Sequence, residues 1–244
     1  MRTVKKSVSL LALIGLCAVL MTGCLYPEEN RAQNMASTRD AVIYMQSVID
    51  QYQQQTGVLP IKNSTPDTPK YEKYVIDLAK LQRMQYIGDL PSVSFENGGR
   101  FYFLLLDEDT KPTVKLMDLV SFQAVNDIQS WVNDYQRRNN TLPVGDEAYP
   151  GFFRIDYGAL GKKEPAITSL YSGTTLSTMM DGQGIVYIDY GIDLMRTIER
   201  NSLAPEPEQD LREFLAAEYD FVPVKTTVYH WVDNEPRAMP EDKE

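Results

Sequence analysis

Apolar positions recur with a helical period from about Ser37 onward. Val42, Met45, Ile49 and Tyr52 stand at i, i+3, i+7 and i+10, with Ala41 and Val48 flanking the same stripe. Ser37, with Asp40 three residues on, reads as a capping-box-like start. Gly57 and the extended step Leu59-Pro60 end the helix. The same text returns 83 residues later. Residues 41–60 and 124–143 align without a gap and are identical at eight positions, from Ala41/Ala124 and Gln46/Gln129 to Leu59/Leu142 and Pro60/Pro143. The stripe transfers as Val125, Ile128, Val132 and Tyr135, and Trp131 takes the place of Val48. A long period carried by core and turn positions together reads as a duplication.

A weaker echo follows. Tyr74 to Leu78 matches Phe153 to Tyr157, so Asp77 and Asp156 recur as cap or turn residues. Asn97-Gly98-Gly99 before Phe101–Leu106, and Asp181 to Gly184 before Ile185–Tyr190, read as equivalent glycine turns that each open a buried strand. Leu211, Phe214, Leu215 and Tyr219 predict a short amphipathic helix. Phe221 to Trp231 reads as one or two strands interrupted by Pro223, capping or completing the second unit, and the chain frays from Asn234. The fold class expected is α+β. Two duplicated units, 37–120 and 121–200, each carry a long N-terminal helix followed by a small antiparallel sheet. A C-terminal helix–strand extension with a polar tail occupies 201–244.

The N-terminus follows a different pattern. Arg2, Lys5 and Lys6 precede Val8–Met21, fourteen residues in which Ser9 is the one clearly polar side chain, and Thr22-Gly23-Cys24 follows. As a helix this run reaches roughly 21 Å, short of a ~30 Å hydrocarbon core, which suits a signal h-region better than a permanent span. Met21-Thr22-Gly23-Cys24 resembles the lipobox of bacterial lipoproteins, with methionine where leucine is usual. The resemblance implies cleavage after residue 23 and a diacylglyceryl group on the Cys24 thiol. Two acyl chains would hold the protein stably on the extracytoplasmic face of the cell membrane. Residues 1–23 are thus expected to be a signal peptide and 24–36 a lipidated polar tether. The layout as a whole is similar to lipoproteins of Gram-positive-type bacteria. The step Tyr52-x4-Gly57-x-x-Pro60 before a small sheet is similar to the heads of type IV pilins and pseudopilins, which implies a likeness of fold alone.

Charge and cysteine content narrow the partners. Removing residues 1–23 takes away three basic residues and no acidic one, so a net charge of −10 becomes −13. That argues against nucleic acid and against anionic membrane surface. Cys17 leaves with the signal and Cys24 would be acylated, so no thiol remains for a disulfide, a nucleophile or a metal. About 210 residues rich in Tyr, Phe, Val, Ile and Leu suffice for a hydrophobic core.

No residue set points to catalysis, a cofactor or a metal. His230 is the single histidine and falls on an alternating strand-like stretch, with no nucleophile elbow in the sequence to serve. Asp107-Glu108-Asp109-Thr110-Lys111-Pro112 fails as a calcium loop, because Lys111, Pro112 and Asp118 occupy positions 5, 6 and 12, and it reads as a solvated hairpin. Gly182-x-Gly184 lacks the lysine of a phosphate loop. Most of the fifteen tyrosines read as core, with a sugar- or peptide-binding surface as the alternative. The expected function is a non-enzymatic interaction or structural module of the envelope with an unidentified protein partner. Two alternatives stay open: a solute-binding lipoprotein of an importer, and an envelope hydrolase built on a carboxylate pair.

Overall fold

The computed structural model describes residues 28–240. Cys24 and the signal segment 1–23 lie outside the described residues, as does the start of the tether. The sheets and the hydrophobic core all lie within the compact unit Arg39–Glu244.

Helix α1 runs Glu28–Thr56. Its start lies nine residues before Ser37, inside the stretch read as tether, so Ser37 and Asp40 are interior helix residues and do not begin the helix. Glu28 to Ala36 is rich in helix formers, and a polar sequence without proline or glycine lets a helix run on once it is nucleated downstream. Val42, Met45, Val48, Ile49 and Tyr52 are buried and pack with Ile76, Leu78, Phe103, Leu105 and Val114. Gly57, at φ +72, closes the helix by donating to Gln53 O at 2.8 Å. Ile61 then bridges Ile76, Val75 bridges Leu104, and the short helix α2 spans Leu78–Arg83. Strands β1, Phe101–Leu106, and β2, Thr113–Asp118, form an antiparallel hairpin, with the Asp107–Pro112 segment as its turn.

Helix α3, Leu119–Asn139, begins directly after β2. Asp118 is its N-cap and accepts from Val120 N, Ser121 N and Ser121 Oγ. Both carboxylate oxygens of Asp118 are also held by Arg100, at 2.9 and 2.6 Å. A fork of this kind fixes direction as well as charge. Val125, Ile128 and Val132 are fully buried, whereas Tyr135, the counterpart of Tyr52, is half-buried. Asn140, at φ 54, ends the helix with a bond to Gln136 O at 2.8 Å, in the place where α1 uses Gly57. Asparagine is among the few side chains that enter the left-handed region readily.

Strands β3, Val144–Tyr149, and β4, Phe152–Ile155, lead to the one-turn helix α4, Tyr157–Leu160. Strands β5, Ile167–Thr168, and β6, Thr175–Leu176, form a small hairpin. Strands β7, Thr178–Asp181, and β8, Val186–Ile188, complete the four-stranded antiparallel sheet β3-β4-β7-β8. The glycine turns at 97–99 and 182–184 therefore occupy different places. The first precedes β1, while the second joins β7 to β8 and so corresponds to the β1–β2 turn. Gly184 has φ +85, and a Cβ there would stand 2.6 Å from Leu142 Cδ2. Short apolar strands look alike in sequence, and the pairing partner that distinguishes them is set at long range.

Helix α5, Gly191–Asn201, follows β8 as α3 follows β2. Helix α6, Arg212–Glu218, is the short amphipathic helix predicted from Leu211, Phe214, Leu215 and Tyr219. Strands β9, Val228–Val232, and β10, Glu235–Met239, pair as a hairpin, so the tail is ordered to Met239 where fraying was expected. Asp233 and Asn234 at positive φ make its turn, and alternate residues Pro236 and Ala238 are buried.

The tail does more than cap the second half. Asp220 O accepts from Leu116 N at 2.8 Å and Val222 N donates to Leu116 O at 3.0 Å, along the open edge of β2. Lys225 O accepts from Ile188 N at 2.8 Å, along the open edge of β8. One six-residue segment thus closes both sheets, the usual remedy for unpaired edges.

Candidate functional site

The first turn of α5 is held by a buried network. Asp189 Oδ1 accepts from the hydroxyls of Tyr149 and Tyr229, each at 3.0 Å, and from Gly191 N at 3.0 Å, while Arg154 Nη2 donates to Oδ2 at 2.8 Å. Tyr229 Oη in turn accepts from Tyr190 N at 3.1 Å. Burial, and secondly the Asp189 charge, push the Tyr149 and Tyr229 hydroxyls well above the usual phenol range. Both therefore stay protonated and donate.

The helix fixed in this way buries Gly191, Asp193, Leu194, Thr197 and Ile198. Asp193 is 1% exposed. Ser169 Oγ donates to its Oδ2 at 2.8 Å, and the same Oγ accepts from the backbone N–H groups of Tyr171 and Ser172 at 3.0 Å each. That turn belongs to the β5–β6 hairpin, where Ser169 N donates to Thr174 O at 2.8 Å. Among the described residues the second carboxylate oxygen, Oδ1, is buried with no hydrogen-bond partner, and so is the Tyr171 hydroxyl. Burial raises the Asp193 carboxyl above its ordinary 3.8, although Ser172, Ser169 and Arg196 pull the other way. Burial likewise drives the Tyr171 hydroxyl well above 10.

Asp193 lines an open cleft of about 530 Å³ together with Tyr171, Ser172, Arg196, Glu199, Arg200 and Tyr219. Tyr219 ends α6, and its hydroxyl accepts from Arg200 Nη2 at 2.5 Å. Its carbonyl accepts from the buried Lys115 Nζ at 2.7 Å, which ties the cleft wall to β2. The rings of Tyr171 and Tyr219 meet edge to face, with centroids 5.0 Å apart. The result is a carboxylate floor, aromatic walls and a rim on which two guanidinium groups flank the Glu199 carboxylate. Such a site can bind a donor at the floor and an anion at the rim.

The residues weighed from sequence fall elsewhere. His230 sits opposite Arg237 in the β9–β10 hairpin. Asp107 begins a tight turn in which Thr110 N and Lys111 N both donate to its carbonyl. Asp77 and Asp156 are N-caps, accepting from Lys80 N and Ala159 N at 2.9 Å each. Trp131 lies under Lys162, with 5.2 Å from Nζ to the ring centroid. Among the described residues no group of three or more His, Cys, Asp or Glu is placed to hold a metal ion. No helix among them is long and apolar enough to cross a membrane. Asp193, Arg196 and Arg200 were missed. One signal was available: Asp193 falls on the same stripe as Leu194, Thr197 and Ile198, a carboxylate on the apolar face of a helix.

Residues 38–118 match the N-terminal domain of the YphF family. The match covers about a third of the chain, from α1 to the end of β2, and makes that part similar to a bacterial protein family. No curated protein and no solved structure matches the chain.

Proposed function

We propose that this chain is a lipoprotein held on the extracytoplasmic face of the cell membrane through Cys24, and that it works there as a non-enzymatic interaction module. The observation that carries the reading is the ordered N-terminal sequence: positive residues, a fourteen-residue apolar run, then Met21-Thr22-Gly23-Cys24. The cleft on α5, with aromatic walls and paired arginines beside a buried carboxylate, supports a binding role. The partner is a component of the envelope.

The two halves, 37–120 and 121–200, are read as copies of one module, and their likeness to pilin heads is one of helix-then-sheet layout. Matching side-chain bonds and helix ends support common descent. The reading of a solute-binding lipoprotein draws on one observation, the open cleft with an unpaired buried oxygen at its floor.

Metabolic labelling with a fatty-acid analogue tests the anchor. The wild-type chain should incorporate label and run as the cleaved form, and Cys24→Ala should do neither. Equal labelling of the two would overturn the proposal.

A further inference from the structure

Among the described residues two polar atoms at the base of the α5 cleft lack partners, and Arg196, Glu199 and Arg200 stand at its mouth. Asp193 Oδ2 is committed to Ser169, so Oδ1 is the oxygen left for a guest. A buried carboxylate oxygen without a donor is costly, and a donor from water, an ion or a guest molecule relieves that cost. Arg196 and Arg200 are exposed and lie three and seven residues beyond Asp193, on successive turns of the same helix. Arg200 already points a guanidinium N–H at the cleft residue Tyr219. Arg196 and Arg200 outweigh Glu199 at the mouth, so a net positive rim above a carboxylate floor matches a molecule carrying both signs, a cation leading and an anion behind.

We infer that this cleft binds a small zwitterion, an amino acid or short peptide. Its ammonium meets Asp193 Oδ1 and its carboxylate lies against Arg196 and Arg200. The ammonium donates to Asp193, and the Tyr171 and Tyr219 side chains that line the cleft shield that contact from water. A simple polyol would meet Asp193 and leave the arginines unused, and a simple acid would do the reverse. The inference rests on the protein being a binding module and not a catalyst.

Calorimetric titration of the full-length chain in detergent tests this, with alanine and alanyl-alanine as probes, alongside N-acetylated and C-amidated alanyl-alanine. At least one of the two free zwitterions should bind saturably, and both blocked forms should bind about tenfold more weakly or worse, as expected when a charge-assisted hydrogen bond is lost. In Asp193→Asn the penalty for N-acetylation should vanish, and in Arg196→Gln the penalty for amidation should shrink. No binding of either zwitterion, or an N-acetylated peptide binding as well as the free one, would overturn the proposal. So would an Asp193→Asn protein that is folded by circular dichroism and binds like wild type. If Asp193→Asn does not fold, the exposed Arg196→Gln decides: an unchanged response to amidation overturns the proposal. Failure here with normal Cys24 labelling would remove the ligand and leave the anchor, and binding without labelling would do the opposite.

Discussion

Gln46 and Gln129, 83 residues apart, make the same three hydrogen bonds. Gln46 Nε2 donates to Asp50 Oδ1 at 2.8 Å and to Pro112 O at 2.9 Å, and its Oε1 accepts from Val114 N at 2.8 Å. Gln129 Nε2 donates to Asn133 Oδ1 at 2.9 Å and to Gly184 O at 2.8 Å, and its Oε1 accepts from Val186 N at 2.8 Å. A primary amide presents the same donor and acceptor as a peptide unit, so each glutamine acts as one extra residue of strand against an open sheet edge. It also fixes its helix to its own sheet in a single register.

Removing either amide should therefore loosen one half of the protein. Gln46→Ala and Gln129→Ala each leave a strand N–H and C=O without their protein partners, and each should lower stability by about 1–3 kcal/mol. Gln46→Glu keeps the acceptor for Val114 but sets a carboxylate against Pro112 O, so it too should lower the urea midpoint. Midpoints equal to wild type in all three would show that the glutamine clamp contributes nothing.

The clamp also shows what the sequence made legible. Gln46/Gln129 and Leu59-Pro60/Leu142-Pro143 stood out as repeats because identical side chains serve identical bonds there. Pro60 O accepts from Asp77 N at 2.7 Å, and Pro143 O accepts from Asp156 N at 2.8 Å, so the weaker Asp echo was structural as well. The strands were harder to read. Phe101–Leu106 was aligned with Ile185–Tyr190 because both follow glycine turns, yet β1 and β7 are the strands that pair next to the Ile76 and Ile155 segments. The cleft was not legible, because Tyr171, Asp193 and Tyr219 come from three separate segments: Ser169 ties the Tyr171 turn to α5, and Tyr219 arrives from the C-terminal segment.

Capping offers a second pair of comparable sites. Asp77→Ala and Asp156→Ala each remove the side chain that accepts the third N–H of its helix, Lys80 N in α2 or Ala159 N in α4. Each should cost roughly 0.5–2 kcal/mol by urea denaturation. Asn at either position should retain most of it. A larger loss for Asn than for Ala would show that charge, not capping, is the role.

The repeated stripe makes a packing prediction. Ile49 and Val132 are both 0% exposed, and they belong to different core clusters. Ile49→Ala should cost roughly 2–5 kcal/mol, with Val132→Ala losing less because fewer carbon atoms are removed. Because the two clusters share few neighbours, the double variant should lose close to the sum. Wild-type midpoints in both single variants would mean the stripe is not core.

Asp193 should make stability depend on pH in a direction opposite to that of a salt-bridged carboxylate. Its folded-state pKa lies above the ordinary 3.8, chiefly through burial. Well below that ordinary value the group is protonated in both states and adds no penalty. As pH rises, the unfolded chain ionises first, so unfolding becomes easier until the folded pKa is passed and the penalty is complete. Asparagine never ionises, and its side-chain oxygen can still accept from Ser169. The stability of Asp193→Asn relative to wild type should accordingly increase from acid to neutral pH and then level off. Urea midpoints of both proteins across that range measure the difference. A difference that is flat with pH, or that shrinks toward neutrality, would show that the carboxylate carries no burial penalty and that its free oxygen is satisfied within the protein. An increase would mark Asp193 as a residue whose charge is kept at the expense of stability, which is the pattern expected of a binding group.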